Sequence, residues 1–186
     1  LECPFHGFRW AESGRCTLTP CEGRDTTISR RLDARPLPVR ERAGLVWMWW
    51  GDPATASSEP PWFDGLAESP AGTTTTSHEW PLSCPRMMEA ILDLHHFPFV
   101  HAPFARGAGP RLDPYRAVLD GDVIHVEGRL RTESGTGPSQ DFRTRVRFPA
   151  VMLSETKVPV IVLGAPIDER RVWLHLRFYP RPGVSP

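Results

Sequence analysis

The segment EAILDLHHFPFVH, Glu89 to His101, decides how the rest of this sequence is interpreted. Apolar residues recur there at helical spacing and predict a helix from about Pro85 to His95. Ser83 precedes this helix as a candidate N-cap, and a proline is tolerated in the first turn. Pro98 has no backbone N–H and is expected to end or break the helix before it.

One acid and two histidines lie in this segment: Asp93, His96 and His101. On a helix, Asp93 and His96 would share a face, where a carboxylate can hydrogen-bond an imidazole and fix its tautomer. The spacing from His96 to His101 suits a straight helix poorly, but the break at Pro98 lets His101 turn back. Two imidazoles and a carboxylate form the facial triad of non-haem Fe(II) sites. The alternative is two surface histidines at a helix end beside a capping acid.

A second cluster lies in CPFHGFRW, where Cys3 and His6 share a short predicted loop. A thiolate and an imidazole at this spacing can both reach a metal. With Cys16 and Cys21, which lie in predicted turns, they would complete a zinc site. In a [2Fe–2S] cluster of mixed ligation, Cys3 would hold one iron and His6 the other. The alternative is a buried cysteine beside an incidental histidine.

Composition narrows the class of protein. The 186 residues suffice for one large domain or two small ones. The charges of 22 basic and 22 acidic residues cancel, so no nucleic acid or acidic membrane partner is expected. No apolar run approaches the length of a membrane span. Four cysteines are too few for a disulfide framework at this length, which favours a reducing, cytoplasmic location. Because Leu1 lies in what resembles mid-domain sequence, we expect a fragment.

The remaining segments predict strands. GLVWMWWG, Gly44 to Gly51, is apolar on both faces and predicts a strand buried on both sides. ESGRC, Glu12 to Cys16, predicts a hairpin turn. A Pro-, Ser- and Thr-rich segment separates residues 1–55 from residues 79–186, and we expect it, residues 56–78, to be a linker between two domains.

Apolar residues alternate with polar ones after Pro114, and DGD, Asp120 to Asp122, predicts a hairpin turn there. Such half-buried strands predict an antiparallel sheet packed on the helix. In DFRTRVRF the alternating polar residues are arginines, and we expect a solvated sheet face, with an anionic-substrate site as the alternative. The residues concerned are Arg143, Arg145 and Arg147.

Two motifs resemble those of one family. CPFHGFRW resembles the second half of the Rieske iron–sulfur motif, C-P-x-H-G followed by an aromatic residue. The segment from Glu89 to His101 resembles the catalytic motif of Rieske-type oxygenases, E-N-x-x-D-x-x-H-x-x-x-x-H, with Ala90 in place of the Asn. The chain is identified by this resemblance as part of an aromatic-ring-hydroxylating-type oxygenase α subunit. The implied fold is α+β: the C-terminal part of a β-rich Rieske domain (residues 1–55), then the start of a helix-grip-like catalytic domain (residues 79–186).

The resemblance also implies the ligands of two iron centres. Cys3 and His6 each hold one iron of a [2Fe–2S] cluster, whose first Cys–His pair is expected before Leu1. His96 and His101 hold a mononuclear Fe(II), with a third, acidic ligand expected beyond Pro186. The resemblance assigns Asp93 to the bridge between this iron and the cluster of a neighbouring subunit. His95 is expected to be a bystander beside the motif.

The same resemblance implies a terminal oxygenase that oxidises a small hydrophobic substrate, aromatic or alicyclic, with O₂. Electrons from NAD(P)H arrive through a ferredoxin or flavin reductase, and a homotrimer or higher assembly is expected. Mono-oxygenation, demethylation or desaturation is favoured over cis-dihydroxylation. Two alternatives are a zinc-stabilised binding module and a non-catalytic Rieske electron-transfer protein, although a pure carrier has no need of Asp93, His96 and His101.

Overall fold

The structure is a computed structural model that describes residues 1–23, 25–57, 59–105, 109–149, 151–156 and 158–180. The chain forms two compact units, Leu1–Pro60 and Pro61–Pro186. No helix among the described residues is long and apolar enough to cross a membrane.

The first unit contains two small antiparallel sheets. One pairs β1 (Arg9–Trp10) with β2 (Cys16–Leu18), and the other pairs β3 (Val39–Arg42) with β4 (Leu45–Met48). The predicted turn at ESGRC joins β1 and β2. Gly14 is required in this turn, because its φ is +80° and a Cβ would lie 2.0 Å from the Ala34 carbonyl oxygen.

The strand β4 forms where it was predicted, but the prediction that both its sides are buried is wrong. Trp47 points to the half-buried side, where its indole N–H donates to the Arg42 carbonyl oxygen. On the other side Val46 is 77% exposed, and Met48, Trp50 and the cross-strand Val39 are exposed with it. Apolar sequence on both faces of a strand therefore did not predict burial, because β3 is its one pairing partner in the described chain.

The second unit is built on a seven-stranded antiparallel sheet in the order β5-β11-β10-β9-β8-β7-β6. The predicted turn at Asp120–Asp122 joins β6 to β7, and the α+β class with an antiparallel sheet is confirmed. The strands are β5 (Thr74–Trp80), β6 (Arg111–Asp120), β7 (Val123–Arg131), β8 (Ser139–Arg147), β9 (Val151–Ser154), β10 (Val160–Pro166) and β11 (Val172–Phe178).

One face of this sheet is covered by α1 (Cys84–Leu92), which is followed by two single-turn helices, α2 (Phe97–Val100) and α3 (Ala102–Ala105). Met87 and Met88 on α1 share a core cluster with inward-facing residues of four strands. Met87 is fully buried, so Met87→Ala is expected to cost about 2–5 kcal/mol of stability. The sheet residues of this cluster are Val146, Met152, Val162, Val172 and Leu174.

The opposite face is covered by residues 62–68, which we call the strap. Arg147 donates to the Trp62 carbonyl oxygen at 2.6 Å, and Arg177 donates to the Glu68 carbonyl oxygen at 2.7 Å. Trp62 and Phe63 are buried, and the Arg145 guanidinium lies 5.1 Å from the centre of the Phe63 ring.

The expectation of a solvated arginine face is therefore wrong for Arg145 and Arg147, although it holds for Arg143, whose side chain is 70% exposed. Guanidinium groups can be buried here because the strap supplies carbonyl oxygens and aromatic faces. The strap, together with the first residues of β5, falls inside the segment 56–78 that was expected to be a linker.

Candidate metal centres

Cys3 and His6 lie on one tight turn of the first unit. The Cys3 backbone N–H donates to the Phe8 carbonyl oxygen, and the Gly7 N–H donates to the Cys3 carbonyl oxygen, both at 2.9 Å. Gly7 has a φ of +71°, which other residues adopt rarely. Cys3 is half-buried and His6 is exposed, so the turn presents both donors at the surface.

The cysteines proposed to complete a zinc site do not join this turn. Cys16 is buried in β2, where its backbone N–H donates to Asp33 Oδ1 at 2.9 Å, and this hydrogen bond lowers the pKa of the Asp33 carboxyl. Cys21 is exposed in a separate 3₁₀ turn. No three His, Cys, Asp or Glu residues in the described parts of the chain lie close enough to hold a metal. The four residues of the zinc alternative are therefore not grouped into one site in the described structure.

Asp93 and His96 meet in a way that the sequence did not predict. The helix α1 ends at Leu92 rather than His95, and Asp93 is its C-cap. Asp93 Oδ1 accepts the His95 backbone N–H at 2.8 Å, a local side-chain bond that competes with helix continuation. The turn, rather than a shared helical face, brings Asp93 Oδ2 to 3.5 Å from His96 Nδ1.

His96 and His101 flank the single turn of α2, as its N-cap and C-cap. Pro98 lies inside this helix rather than after it, at a first-turn position where a missing N–H costs little. The His101 N–H donates to the Phe97 carbonyl oxygen at 3.0 Å. The two imidazole centroids lie 5.2 Å apart with an interplanar angle of 68°.

The charges around these rings favour an ionised Asp93 and a neutral His101. Partial burial raises the pKa of Asp93, but the His95 N–H, the His95 ring and the His96 ring outweigh it, so its pKa lies below the usual value. Burial, followed by the charge of His96, lowers the pKa of His101. A neutral imidazole keeps the lone pair that a metal requires.

The arrangement fits a mononuclear iron. Two imidazoles that share an ion at a metal–nitrogen distance of about 2.1 Å have centroids about 5 Å apart, which agrees with the separation of His96 and His101. Since Asp93 lies beside Nδ1 of His96, Nε2 is left for the metal. In such a site Asp93 would support the His96 ring rather than bind the metal.

His95 is more than the expected bystander. Its ring Nδ1 lies 3.2 Å from Asp93 Oδ1, so backbone and side chain of one residue both contact that oxygen. Sequence reasoning also missed Phe97, whose ring lies between His101 and Phe142 of β8. The sequence could have indicated this role, since Phe97 is an aromatic residue between the two candidate ligands.

No family model matches this chain. Among curated proteins, it is 31% identical over 125 residues to the oxygenase component of dicamba O-demethylase from Stenotrophomonas maltophilia, covering 66% of this chain and 36% of that protein. It is 33% identical over 109 residues to the chloroplast chlorophyllide a oxygenase of Chlamydomonas reinhardtii, covering 56% of this chain and 16% of that protein.

Solved structures confirm the fold. Dicamba monooxygenase bound to 3,6-dichlorosalicylic acid superposes with a TM-score of 0.76 at 20% identity, covering 99% of this chain and 61% of that chain. These homologues and structural neighbours are Rieske-type oxygenases, which are oxidoreductases, and the predicted resemblance to that family is confirmed. The chain spans 36% or less of the length of the two curated relatives described.

Members of this family typically carry a [2Fe–2S] cluster and an iron, and they work with reductase or ferredoxin partners on small substrates. The relatives include chloroplast proteins as well as bacterial oxygenase components, so a cytoplasmic location stays a prediction for this chain.

Proposed function

We propose that the protein is the terminal oxygenase component of a Rieske non-haem iron system. It oxidises a small hydrophobic substrate, aromatic or alicyclic, with O₂ at Fe(II). The observation that carries the proposal is the grouping of His96, His101 and Asp93 at one turn, with centroid and carboxylate distances that suit two ligands and a supporting acid. The Cys3–His6 turn in the same chain supplies the donors for the second centre.

His96 and His101 would hold the Fe(II), which when bound supplies the site where O₂ is activated. His96 donates its Nδ1 proton towards Asp93, which fixes the ring orientation and raises the basicity of Nε2. His101 stays neutral because burial and the neighbouring His96 both disfavour its charged form.

Cys3 and His6 would hold one iron each of the [2Fe–2S] cluster, and a histidine ligand in place of a cysteine raises the reduction potential. We expect electrons to reach this cluster from NAD(P)H through a ferredoxin or flavin reductase. Asp93 would carry them to the iron from the cluster of a neighbouring subunit in a homotrimer or higher assembly. Its side chain is 44% exposed, so a partner subunit can approach it.

We favour mono-oxygenation, including oxidative demethylation, as the reaction class. Support comes from relatives named as the oxygenase components of a dicamba O-demethylase and of a 3-ketosteroid-9-alpha-monooxygenase.

The test is to purify the complete protein and measure iron, acid-labile sulfide and the visible spectrum, then turnover of aromatic and alicyclic substrates with NADH and a ferredoxin reductase. The expected result is a coloured protein with about three irons per subunit, two in the cluster and one mononuclear. A colourless protein with stoichiometric zinc would contradict the proposal.

A further inference from the structure

We propose that Gly128 and Phe142 form a seat that sets the position of the His96–His101 pair, and that Gly128 is a positioning residue for this metal site. Gly128 lies in β7 and Phe142 in β8, where they are direct cross-strand partners. Neither residue has a group that binds metal. The inference rests on the proposed iron site and names residues, more than 25 positions downstream of His101, that adjust it.

Leu94 occupies the Gly128 half of the seat. A Cβ on Gly128 would lie 2.9 Å from Leu112 Cδ1, which would have to move, and 3.0 Å from Leu94 Cδ1, a tight contact that Leu94 would have to relieve by a few tenths of an ångström. Leu94 is only 6% exposed, so it has little room to swing away, whereas Leu112 lies half-buried on the edge strand β6. Leu94 directly follows Asp93, and a displaced Leu94 therefore moves the carboxylate that faces His96.

Phe97 occupies the Phe142 half of the seat. The Phe97 and Phe142 rings meet edge to face at a centroid distance of 4.7 Å. The other side of Phe97 faces His101, with centroids 5.1 Å apart, and its carbonyl oxygen accepts the His101 N–H. Phe142 is buried in the core cluster with Leu94, Val126 and Leu130, so it is a fixed support.

The two halves act together because Leu94 and Phe97 bracket His95 and His96 in the chain. The turn that carries both histidines thus contacts the sheet at two adjacent points, one on each of two paired strands. Gly128 has no positive φ, so alanine or valine there adds volume without backbone strain. Added volume at Gly128 should tilt the turn about Phe97, and a small misplacement of a metal-binding side chain is enough to weaken a site.

The experiment measures metal affinity and geometry rather than turnover. Co(II) replaces the mononuclear iron in the complete protein, and its visible d–d spectrum and dissociation constant are recorded with the melting temperature. Gly128→Val is expected to weaken Co(II) binding by about 10-fold or more and to alter the spectrum, and Gly128→Ala to do so by less. The absorption of the [2Fe–2S] cluster should not change.

Two controls separate positioning from general destabilisation. Leu94→Val in the Gly128→Ala background removes the clashing methyl position and should restore the wild-type Co(II) spectrum. Val162→Ile overpacks the same face of the sheet in β10, within the other core cluster, at a cost of about 1–3 kcal/mol. It should lower the melting temperature and leave the Co(II) spectrum unchanged.

Wild-type Co(II) affinity and spectrum in both Gly128 variants would overturn the inference. So would an equal loss of Co(II) affinity in Val162→Ile at the same drop in melting temperature, since the loss would then follow stability alone. If His96→Ala binds Co(II) as tightly as the wild type, the proposed iron site is wrong, and the positioning role of Gly128 and Phe142 is then wrong as well. If His96→Ala abolishes binding while Gly128→Val does not affect it, only the seat is wrong.

Discussion

The two candidate centres are built on different supports. The Cys3–His6 turn is held by backbone hydrogen bonds and one glycine with positive φ, within a unit of two-stranded sheets. The Asp93–His101 segment is held by side chains, since Leu94 and Phe97 pack on a seven-stranded sheet that is covered on both faces. Both place two donors at one turn, but by different means.

The difference suits the two kinds of chemistry. A cluster that only passes electrons needs its donors at the surface, where a partner can approach, and backbone bonds fix them locally. A site that must admit a substrate and O₂ needs fixed ligands with open positions beside them, and packing on a rigid sheet supplies this. Substitutions should therefore affect each centre separately.

The largest expected effect is loss of one metal and retention of the other. Cys3→Ser should bleach the visible absorption of the cluster and keep mononuclear iron, because one cluster ligand is lost. His96→Ala should do the reverse. Visible and electron paramagnetic resonance spectra with iron analysis check both. Loss of both metals in either variant would show that the two centres are not independent.

Asp93→Asn should keep both metals and lower turnover by about 100-fold, because the amide removes the negative charge beside His96. His95→Ala is the matched control, since it removes a ring from the other oxygen of the same carboxylate and keeps the backbone N–H that holds it. Iron content and turnover with NADH are the measurements. Normal turnover in Asp93→Asn would contradict the proposed role of Asp93 in carrying electrons to the iron.

The third prediction concerns the hydrogen bonds that hold the strap on the sheet of the second unit. Arg177→Met removes the hydrogen bond to the Glu68 carbonyl and should cost about 2 kcal/mol of unfolding free energy in this unit. Arg143→Met, on an exposed arginine with a loose ion pair to Glu127, should change it by less than about 0.5 kcal/mol. Urea unfolding followed by tryptophan fluorescence compares them. Equal costs would mean that the Arg177–Glu68 hydrogen bond contributes nothing to stability.

The smallest effect concerns His175, which is 8% exposed. Its Nδ1 shares a hydrogen bond with Ser77, and its Nε2 is buried without a described partner. Burial, followed by the charge of Arg177, lowers the pKa of His175 below its unfolded value near 6.5. The neutral ring thus adds stability that is present above pH 6.5 and is lost as pH falls through the folded pKa.

His175→Gln should therefore flatten the loss of melting temperature between pH 7 and pH 5 by a few degrees, about 1 kcal/mol or less. His78→Gln, on an exposed histidine that pairs with Thr76, is the control and should keep the wild-type slope. A slope unchanged in His175→Gln would assign the acid sensitivity to other groups.

The sheet could be predicted from sequence because its strands alternate and its turns carry glycine, as at Asp120–Asp122. The site could be predicted only in part. Asp93, His96 and His101 were found by residue type and spacing, but the helix end was placed wrongly because the Asp93 side chain binds the His95 N–H, a local bond that apolar periodicity does not reveal.

Other features depend on contacts far apart in the chain. The strap is held through backbone carbonyl oxygens, which every sequence has, and the arginines that reach it lie 85 and 109 residues away. Gly128 gave a weak signal, since a glycine inside a strand often marks a close approach. That signal did not show that Leu94, beside the candidate site, fills the space.

The way the strap is held has a consequence for how its sequence can change over time. Arg147 and Arg177 bind oxygens of the main chain, so the path of the strap is preserved whatever side chain stands at Glu68. Mutations can accumulate at such positions while the arginines on β8 and β11 are retained. The path of the strap can thus persist after its amino-acid sequence has diverged beyond recognition.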